Sequence, residues 1–571
     1  MRKILLSSFS ILLFLALPFF IFVYPQIFPP VIVADVVIYG GGFAGCAAAY
    51  TSAATAPEKT VLLLVPESAT QLGGLGTIGG QNFADIRYWQ NQLVTEGSFQ
   101  RWFEANGQFY NTAKMAETIQ KELEQFPNLS ILFQQDIQKV KTEKLTNKER
   151  VIKSVRLAPI YRNEQGEISW GKGHLKVEGE VFIDASDEGR LARLADVSLV
   201  VGRGDWPQEY LPSAEQSRSE EQETPVARQQ AATLMFKVTD VKTPGWTGSI
   251  GDLDFVLDKF FSWGIVGGKE TWGHNPVVKR FNQLYQASGF AIKPLNAAQD
   301  GAGSTEWWIN MLLVFDVDGR AQERDRGTAR FPVSGVANQK TVDQAWREAR
   351  DVLQQPEFLE ALRQFKVSEE GKMYGFGEAR LVLDEKNLPL VGEVMYLRET
   401  VHHIAGSEPA LTTRQVQQAG SNAENGADKV NYEERIGLGY YMMDINAFRS
   451  EDLLQEDSFV WPVTEYLRPD WLETGGQPVN PVYLPYSMLI TPDYKNLLLP
   501  GYATGCSSFA WAEVRVLPNL AVLGDAAGVA AARAVLYGEK PADFSTAQIL
   551  WIQEKLHHLG ARLEKPSPKT S

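Results

Sequence analysis

The chain has 571 residues, a length that implies two or more domains rather than one core. Hydrophobic residues make up 44% and mean hydropathy is -0.20, values of a soluble globular body. The net charge of -14 argues against nucleic acid, whose phosphates need clustered Lys and Arg, and against docking on anionic lipid.

Residues 1–23 begin with Arg2-Lys3 and run on as an almost unbroken apolar stretch, closed by Pro25, Pro29 and Pro30. Residues 1–30 are expected to be a signal peptide or membrane anchor. The anchor is favoured because no small-x-small cleavage site follows closely. Residues 4–23 would then associate with a membrane. Arg2-Lys3 would hold the N-terminus in the cytoplasm and place the body outside it, in a periplasm or lumen.

Next, Val36-Val37-Ile38-Tyr39 leads into Gly40-Gly41-Gly42-Phe43-Ala44-Gly45, and a small-residue helix follows at once. Strand, tight turn and helix give G-x-G-x-x-G its meaning. Gly40 makes the turn, Gly42 lets the backbone approach a pyrophosphate, and Gly45 lets the helix pack close to the strand. The helix N-terminus, around Ala44, offers N–H groups and a positive dipole end to phosphates. A dinucleotide is expected here. Residues 60–65 (TVLLLV) read as the second parallel strand. An acidic residue about 20 positions beyond the glycines should hold the ribose hydroxyls, and Glu67, displaced by Val65-Pro66, is the candidate.

Residues 72–82 (LGGLGTIGGQN) read either as a flexible loop or as a backbone-lined channel beneath a flat ring, with Gly73 and Gly74 closest. One amphipathic helix is expected over residues 103–126, and strands over 129–133 and 151–157. In residues 181–194 (VFIDASDEGRLARL) a strand ends at Asp184. A carboxylate there sits where open α/β sheets bind ligands, or else the segment is a helix cap.

Residues 215–230 read as a linker, and residues 233–240 and 308–317 as strands of a second sheet. Trp263, Trp272, Trp307 and Trp308 are expected in its core rather than on a pocket wall. Arg398, His402 and His403 then fall on one short stretch. Residues 496–501 should form a strand and turn ending at Gly501. Gly524-Asp525-Ala526-Ala527-Gly528 is expected to open an Ala-rich helix whose N-terminus offers a second phosphate or carbonyl site. Cys46 should be a buried packing residue, and His557-His558 a solvated helix face. No Cys/His cluster has metal-ligand spacing, so no metal is expected.

Four ordered blocks resemble the FAD-dependent oxidoreductase family, within the glutathione-reductase-like and fumarate-reductase-type flavoproteins. They are Gly40-x-Gly42-x-x-Gly45, the Gly73-Gly74 doublet, residues 183–187 (IDASD) where the family writes I-D-A-T-G-D, and a C-terminal block. In the last, residues 496–501 resemble N-L-L-V-A-G, Arg515-Val516-Leu517-Pro518 resembles R-V-x-P, and residues 524–528 resemble G-(Q/E)-A-A-G. Arg398-Glu399-Thr400 resembles the family's R-E-(S/T). Two departures are the missing glycine at Ser186-Asp187 and the shifted acidic residue after the second strand. Residues 68–95 hold no histidine, so a histidyl-linked flavin is not indicated.

The resemblance implies an α/β fold: a Rossmann-like FAD-binding domain of the ββα type, an inserted α+β substrate domain and an N-terminal apolar helix. Residues 34–215 and 481–546 would form the FAD-binding domain, 231–480 the substrate or cap domain, and 547–571 a C-terminal helix and tail. It implies non-covalent FAD exchanging hydride with a small organic substrate, with Arg398, His402 and Arg515 beside the flavin. Gly40, Gly42, Ala44, Gly45, Glu67, Gly73 and Gly74 would bind the cofactor, together with Asp184, Gly501, Gly524, Asp525, Ala526 and Gly528. Two alternatives stay open: an NAD(P)-dependent dehydrogenase on the same turn, and a non-catalytic binding protein on a flavoprotein fold. Substrate and electron acceptor stay open as well.

Overall fold

Short aliphatic runs with almost no charge make the buried strands of an eight-stranded sheet. β1 (Val31–Tyr39), β2 (Val61–Val65) and β3 (Leu129–Phe133) run parallel in the order β3-β2-β1. β4 (Gln135–Lys144) and β5 (Arg150–Arg162) form an antiparallel pair that joins β6 (Leu175–Asp184), whose other edge runs parallel to β1. This is the Rossmann-like α/β fold expected from the glycine turn. The computed structural model describes residues 29–567 except 147–148, 164–165, 174, 203–227, 333–338, 399–400, 404–408, 456–457 and 460–476. Residues 1–28 of the expected signal peptide or anchor (1–30), most of the expected linker and the Glu399-Thr400 pair lie outside the described residues.

Helix α1 (Phe43–Thr55) leaves β1 through Gly40, whose φ of +117° suits glycine. A Cβ at Gly45 would lie 1.9 Å from the Gly40 carbonyl oxygen, so only glycine allows this approach of helix to strand. Residues 103–126 are not one helix. α2 (Ser98–Asn106) stops at Gly107, with φ +89°, and α3 (Thr112–Leu123) restarts with the Asn111 side chain accepting from the Lys114 N–H.

A second, wholly antiparallel sheet contains β7 (Phe236–Thr239), β8 (Gly248–Ile250), β9 (Leu253–Leu257), β10 (Trp263–Gly267), β11 (Phe290–Gln299), β12 (Trp307–Val314) and β13 (Arg380–Leu381). Their order is β8-β9-β10-β11-β12-β7-β13. Trp272, Trp307 and Trp308 are buried in its packing, and α4 (Val342–Leu353) lays Ala345, Trp346, Ala349 and Leu353 into the core.

The chain then returns to the first sheet. β14 (Leu497–Leu498) adds in parallel to β6. α5 (Leu517–Tyr537) packs along α1, and α6 (Thr546–His558) ends with His557 and His558 exposed. By length and composition α5 is apolar enough to cross a membrane, but 83% of its most apolar stretch is buried inside the protein. Cys46 is a buried free thiol.

Candidate active site

Parallel strands β1 and β6 end side by side, with Tyr39 opposite Asp184. A groove opens just beyond them, lined by Gly40, Gly42, Glu67, Ala185, Ser186, Asp187 and Arg324. It continues into a narrower cleft lined by Gly42, Ala44, Gly73, Asp187, Gly501 and Leu517. The glycine turn and the Gly73-Gly74 doublet are joined backbone to backbone, the Gly73 N–H donating to the Gly41 carbonyl at 2.8 Å. Gly42 is the N-cap of α1 and has no side chain with which to cap it, and no acidic residue occupies the first turn. The first-turn N–H groups are thus open to an anion.

Glu67 stands over this turn, its Oε2 lying 3.1 Å from where a Cβ at Gly41 would be. Oε2 is buried without a hydrogen-bond partner among the described residues. Burial, with Asp187 and Glu188 adding repulsion, pushes the carboxyl up to about 8. An orphaned acceptor beside an uncapped helix N-terminus fits a nucleotide whose ribose donates to Glu67 and whose phosphates meet α1.

Other expected contacts resolve differently. The Asp184 Oδ1 accepts from the Ser186 N–H (3.1 Å) and hydroxyl (2.7 Å), and its Oδ2 accepts from the Ala192 N–H (2.8 Å). The Asp184 side chain is taken up by these bonds and is absent from the groove wall, where Asp187 stands instead. The expected cap by Ser186 or Asp187 is not formed as such: the short helix Arg190–Leu194 has Gly189 as its N-cap without a side-chain cap, and the Ser186 hydroxyl accepts from the Arg190 N–H at 3.0 Å. Residues 524–528 do not open a helix. α5 begins at Leu517 with Pro518 in its first turn, so Leu517 and Leu520 face the cleft instead.

Gly524, Asp525, Ala526 and Gly528 lie within α5, where the two glycines let α1 approach. A Cβ at Gly524 would be 2.1 Å from the Ala44 carbonyl oxygen, and one at Gly528 2.1 Å from the Thr51 hydroxyl. Ala526 is buried. Asp525 accepts from the Ser98 N–H (2.9 Å) and hydroxyl (2.5 Å), while burial pushes its carboxyl up to about 6.

The two arginines meet elsewhere. A cavity of about 540 Å³ opens between the 81–87 segment, the second sheet and residues 396–398 and 441–446. Residues around Tyr396 alternate, Met395 and Leu397 facing the groove, Tyr396 and Arg398 the cavity. Arg398 is buried and donates through Nη1 to the Ala231 carbonyl (2.7 Å), while its Nε hydrogen has no partner among the described residues. Burial and the neighbouring Arg515 lower its guanidinium to about 10. Arg515 lies behind the wall, paired with the Asp444 carboxylate at 2.8 Å and donating to the Tyr396 hydroxyl.

His402 is absent from this wall. It sits in a buried two-residue strand (His402–His403) paired with Leu199–Val200, its ring 5.3 Å from that of Trp511. Burial lowers His403 to about 4, so it stays neutral.

Sequence reasoning missed several groups on the cavity wall. Asp85 accepts from the Tyr441 hydroxyl at 3.1 Å, and Asn310 donates to Gln81 at 3.3 Å. Lys293 is buried on β11. A lysine followed by proline inside the apolar run FAIKPLNAA was the available signal, because both residues are foreign to a buried strand.

The profile of the FAD-dependent oxidoreductase family matches residues 35–556. Solved structures resemble parts of the chain at low identity. A geranylgeranyl bacteriochlorophyll reductase-like protein of Thermoplasma acidophilum shares 9% identity over 93% of this chain and 85% of its own, with TM-score 0.33. The p-nitrophenol 4-monooxygenase of Pseudomonas putida shares 10% over 65% of this chain and 68% of its own, with TM-score 0.27. THI4 of Thermovibrio ammonificans shares 16% over 35% of this chain and 75% of its own, with TM-score 0.21. Among curated protein sequences none matches. The assignment therefore rests on the family profile, together with the groove that fits the nucleotide: the chain belongs to the FAD-dependent oxidoreductase family.

Proposed function

We propose that this protein exchanges hydride between FAD and a small organic substrate bearing an anionic group, the substrate occupying the cavity behind Tyr396. FAD, when bound, supplies the two-electron chemistry. The observation that carries the reading is the cavity's set of buried polar atoms without partners among the described residues: Arg398 Nε, Asn296 Oδ1, Asn310 Oδ1 and Asn446 Oδ1. Buried polar atoms are normally satisfied, so a wall carrying four unsatisfied ones fits a polar ligand.

Charge narrows the ligand further. Among the described residues Arg87, Lys269, Lys293 and Arg398 line the cavity together with Asp85 and Asp444, in a chain of net charge -14. Arg398 binds the anionic group, and Asp444 fixes Arg515 and through it the Tyr396 hydroxyl. Across the wall, α1 and Glu67 hold the nucleotide.

The test is an absorbance spectrum of the full-length chain purified in detergent, before and after anaerobic addition of hydroxy acids, amino acids, polyols and amines. Flavin bands that bleach with acids and return in air are the expected result. Equal bleaching by neutral polyols would discard the anionic substrate. A colourless folded protein that cannot be loaded with FAD would favour a binding protein instead. Arg398→Met should raise the half-saturating substrate concentration roughly tenfold or more while leaving flavin content unchanged, as loss of a charged hydrogen bond of about 1.5–3 kcal/mol requires.

A further inference from the structure

We infer that Lys293 is the residue that exchanges a proton with the substrate, an assignment that rests on the hydride-transfer reading above. The backbone points to it first. β11 and β12 pair regularly as far as Ile292 with Leu312 and resume at Asn296 with Asn310, so the ladder is broken across Lys293, Pro294 and Leu295. Pro294 has no N–H to give to a ladder. Breaks of this kind turn side chains out of a sheet beside active sites, and here Lys293, Pro294, Leu295 and Asn296 all line the cavity. The lysine is 7% exposed, and its Nζ reaches the carbonyls of Pro294 (3.2 Å) and Asn310 (3.4 Å).

The groups facing it come from every wall. Arg398 and Tyr396 stand on the 396–398 segment, Asp444 and Tyr441 on the 441–446 segment with Arg515 behind them, Asp85 and Arg87 on the 81–87 segment, and Lys269 at the exposed mouth. Burial, Arg398 and Arg515 depress the ammonium while Asp444 and Asp85 support it. The balance lowers the amine to about 7, where both its forms are populated at neutral pH.

The neighbours are less suited to the task. Asp444 is committed to Arg515, and that arginine keeps it ionised against the cost of burial. Asp85 holds the Tyr441 hydroxyl. His402 is off the wall.

The step balances. With FAD bound as the two-electron acceptor, the substrate's C–H hydrogen would leave with both bonding electrons, and the adjacent heteroatom's X–H proton would go to the neutral Lys293 amine. A C=X double bond forms and the amine becomes an ammonium. The substrate is oxidised, FAD is reduced, and the reverse direction returns the same proton.

Two measurements on the full-length holoenzyme test this. In the first, acetic anhydride labels lysines across a pH series, read peptide by peptide by mass spectrometry. Lys293 should label with a midpoint near 7, against about 10.4 for an ordinary lysine. In the second, the compound that bleaches the flavin best is used in anaerobic stopped-flow reduction of K293M, K293R and D85N. K293M should slow reduction roughly 100-fold or more, as loss of a general base does, and should abolish the limb near pH 7. Flavin content and half-saturating concentration should change less than about threefold, and K293R should not rescue.

An ordinary labelling midpoint overturns the proposal, as does a K293M that keeps the limb or a D85N that loses it in its place. If K293M fails to fold, labelling of the wild-type protein still decides. If no compound reduces the flavin, or none is bound, the hydride-transfer reading falls and this assignment with it. A midpoint near 7 would then mark a depressed lysine without that chemistry.

Discussion

In the free protein the Glu67 carboxyl, pushed up to about 8 by burial and by Asp187 and Glu188, carries a proton at neutral pH. Ribose hydroxyls donating to it favour the carboxylate, so FAD binding expels that proton. Affinity for FAD should therefore rise with pH up to about 8, by at most tenfold per pH unit, and level off above. The free protein shows the opposite sign. A raised carboxyl contributes stability that is full below its ordinary value of 4.5 and is lost as pH climbs through 8. Glu67→Gln should flatten the binding slope and weaken FAD roughly 10- to 100-fold at high pH, the worth of a charged hydrogen bond at about 1.5–3 kcal/mol. Titrating apoprotein with FAD by fluorescence quenching, from about pH 6 to 9, reads both. Parallel slopes for the two proteins would remove Glu67 from the site. The place of Glu67 over the glycine turn was legible despite its displacement, because strand, turn and acidic residue are close in sequence. The Lys-Pro pair marks position 293 as foreign to a buried strand, but not the cavity it lines, which draws on segments near residues 85, 293, 310, 398 and 444 that no local periodicity connects.

At the scale of elements, the contact of α5 with α1 governs the phosphate site, because α1 cannot move without moving its own N-terminus. Gly524→Val places carbon 2.1 Å from the Ala44 carbonyl oxygen, on a helix with no room to yield. Overpacking of this kind costs about 1–3 kcal/mol, so the variant should unfold earlier in denaturant and purify with less flavin. A variant with full flavin content would mean that α5 adjusts without disturbing α1. This contact also explains why the C-terminal block was misread. Glycine next to alanine marks both a helix start at a phosphate and a close helix crossing, and residues 524–528 are the second. What sets the start is Pro518, whose fixed φ and missing N–H suit a first turn, and that signal stood in the sequence six positions before Gly524. Likewise Gly107 divides the helix expected over residues 103–126, a break that amphipathic periodicity alone does not register.

Across the whole molecule, the first sheet is tied to the segment before α4 by charges of which Asp136, Arg190 and Asp325 are fully buried, while Arg324 reaches the groove. Asp136 on β4 meets Arg190 at 2.9 Å and Arg324 at 2.7 Å, and it accepts from the Tyr39 hydroxyl (2.7 Å) and the Trp170 indole (3.0 Å). Arg190 in turn meets Asp325 at 2.6 Å. Burial alone would raise the Asp136 carboxyl, but Arg190 and Arg324 hold it well below the usual carboxylate range. A depressed carboxyl stabilises the fold above its ordinary value of 3.8 and loses that contribution as pH falls below it. Asp136→Asn leaves two buried guanidinium groups short of a counter-charge, a defect of about 3–5 kcal/mol. Denaturant midpoints should therefore separate widely from the wild type at neutral pH and converge below about pH 4. Equal midpoints at neutral pH would show that Asp325 alone satisfies both arginines. Arg324 also lines the nucleotide groove, so the same substitution should release FAD at lower denaturant than that which unfolds the chain. Flavin fluorescence and far-ultraviolet circular dichroism, followed in one titration, distinguish that order of events from a single concerted loss, which would mean that the groove fails only when both sheets do.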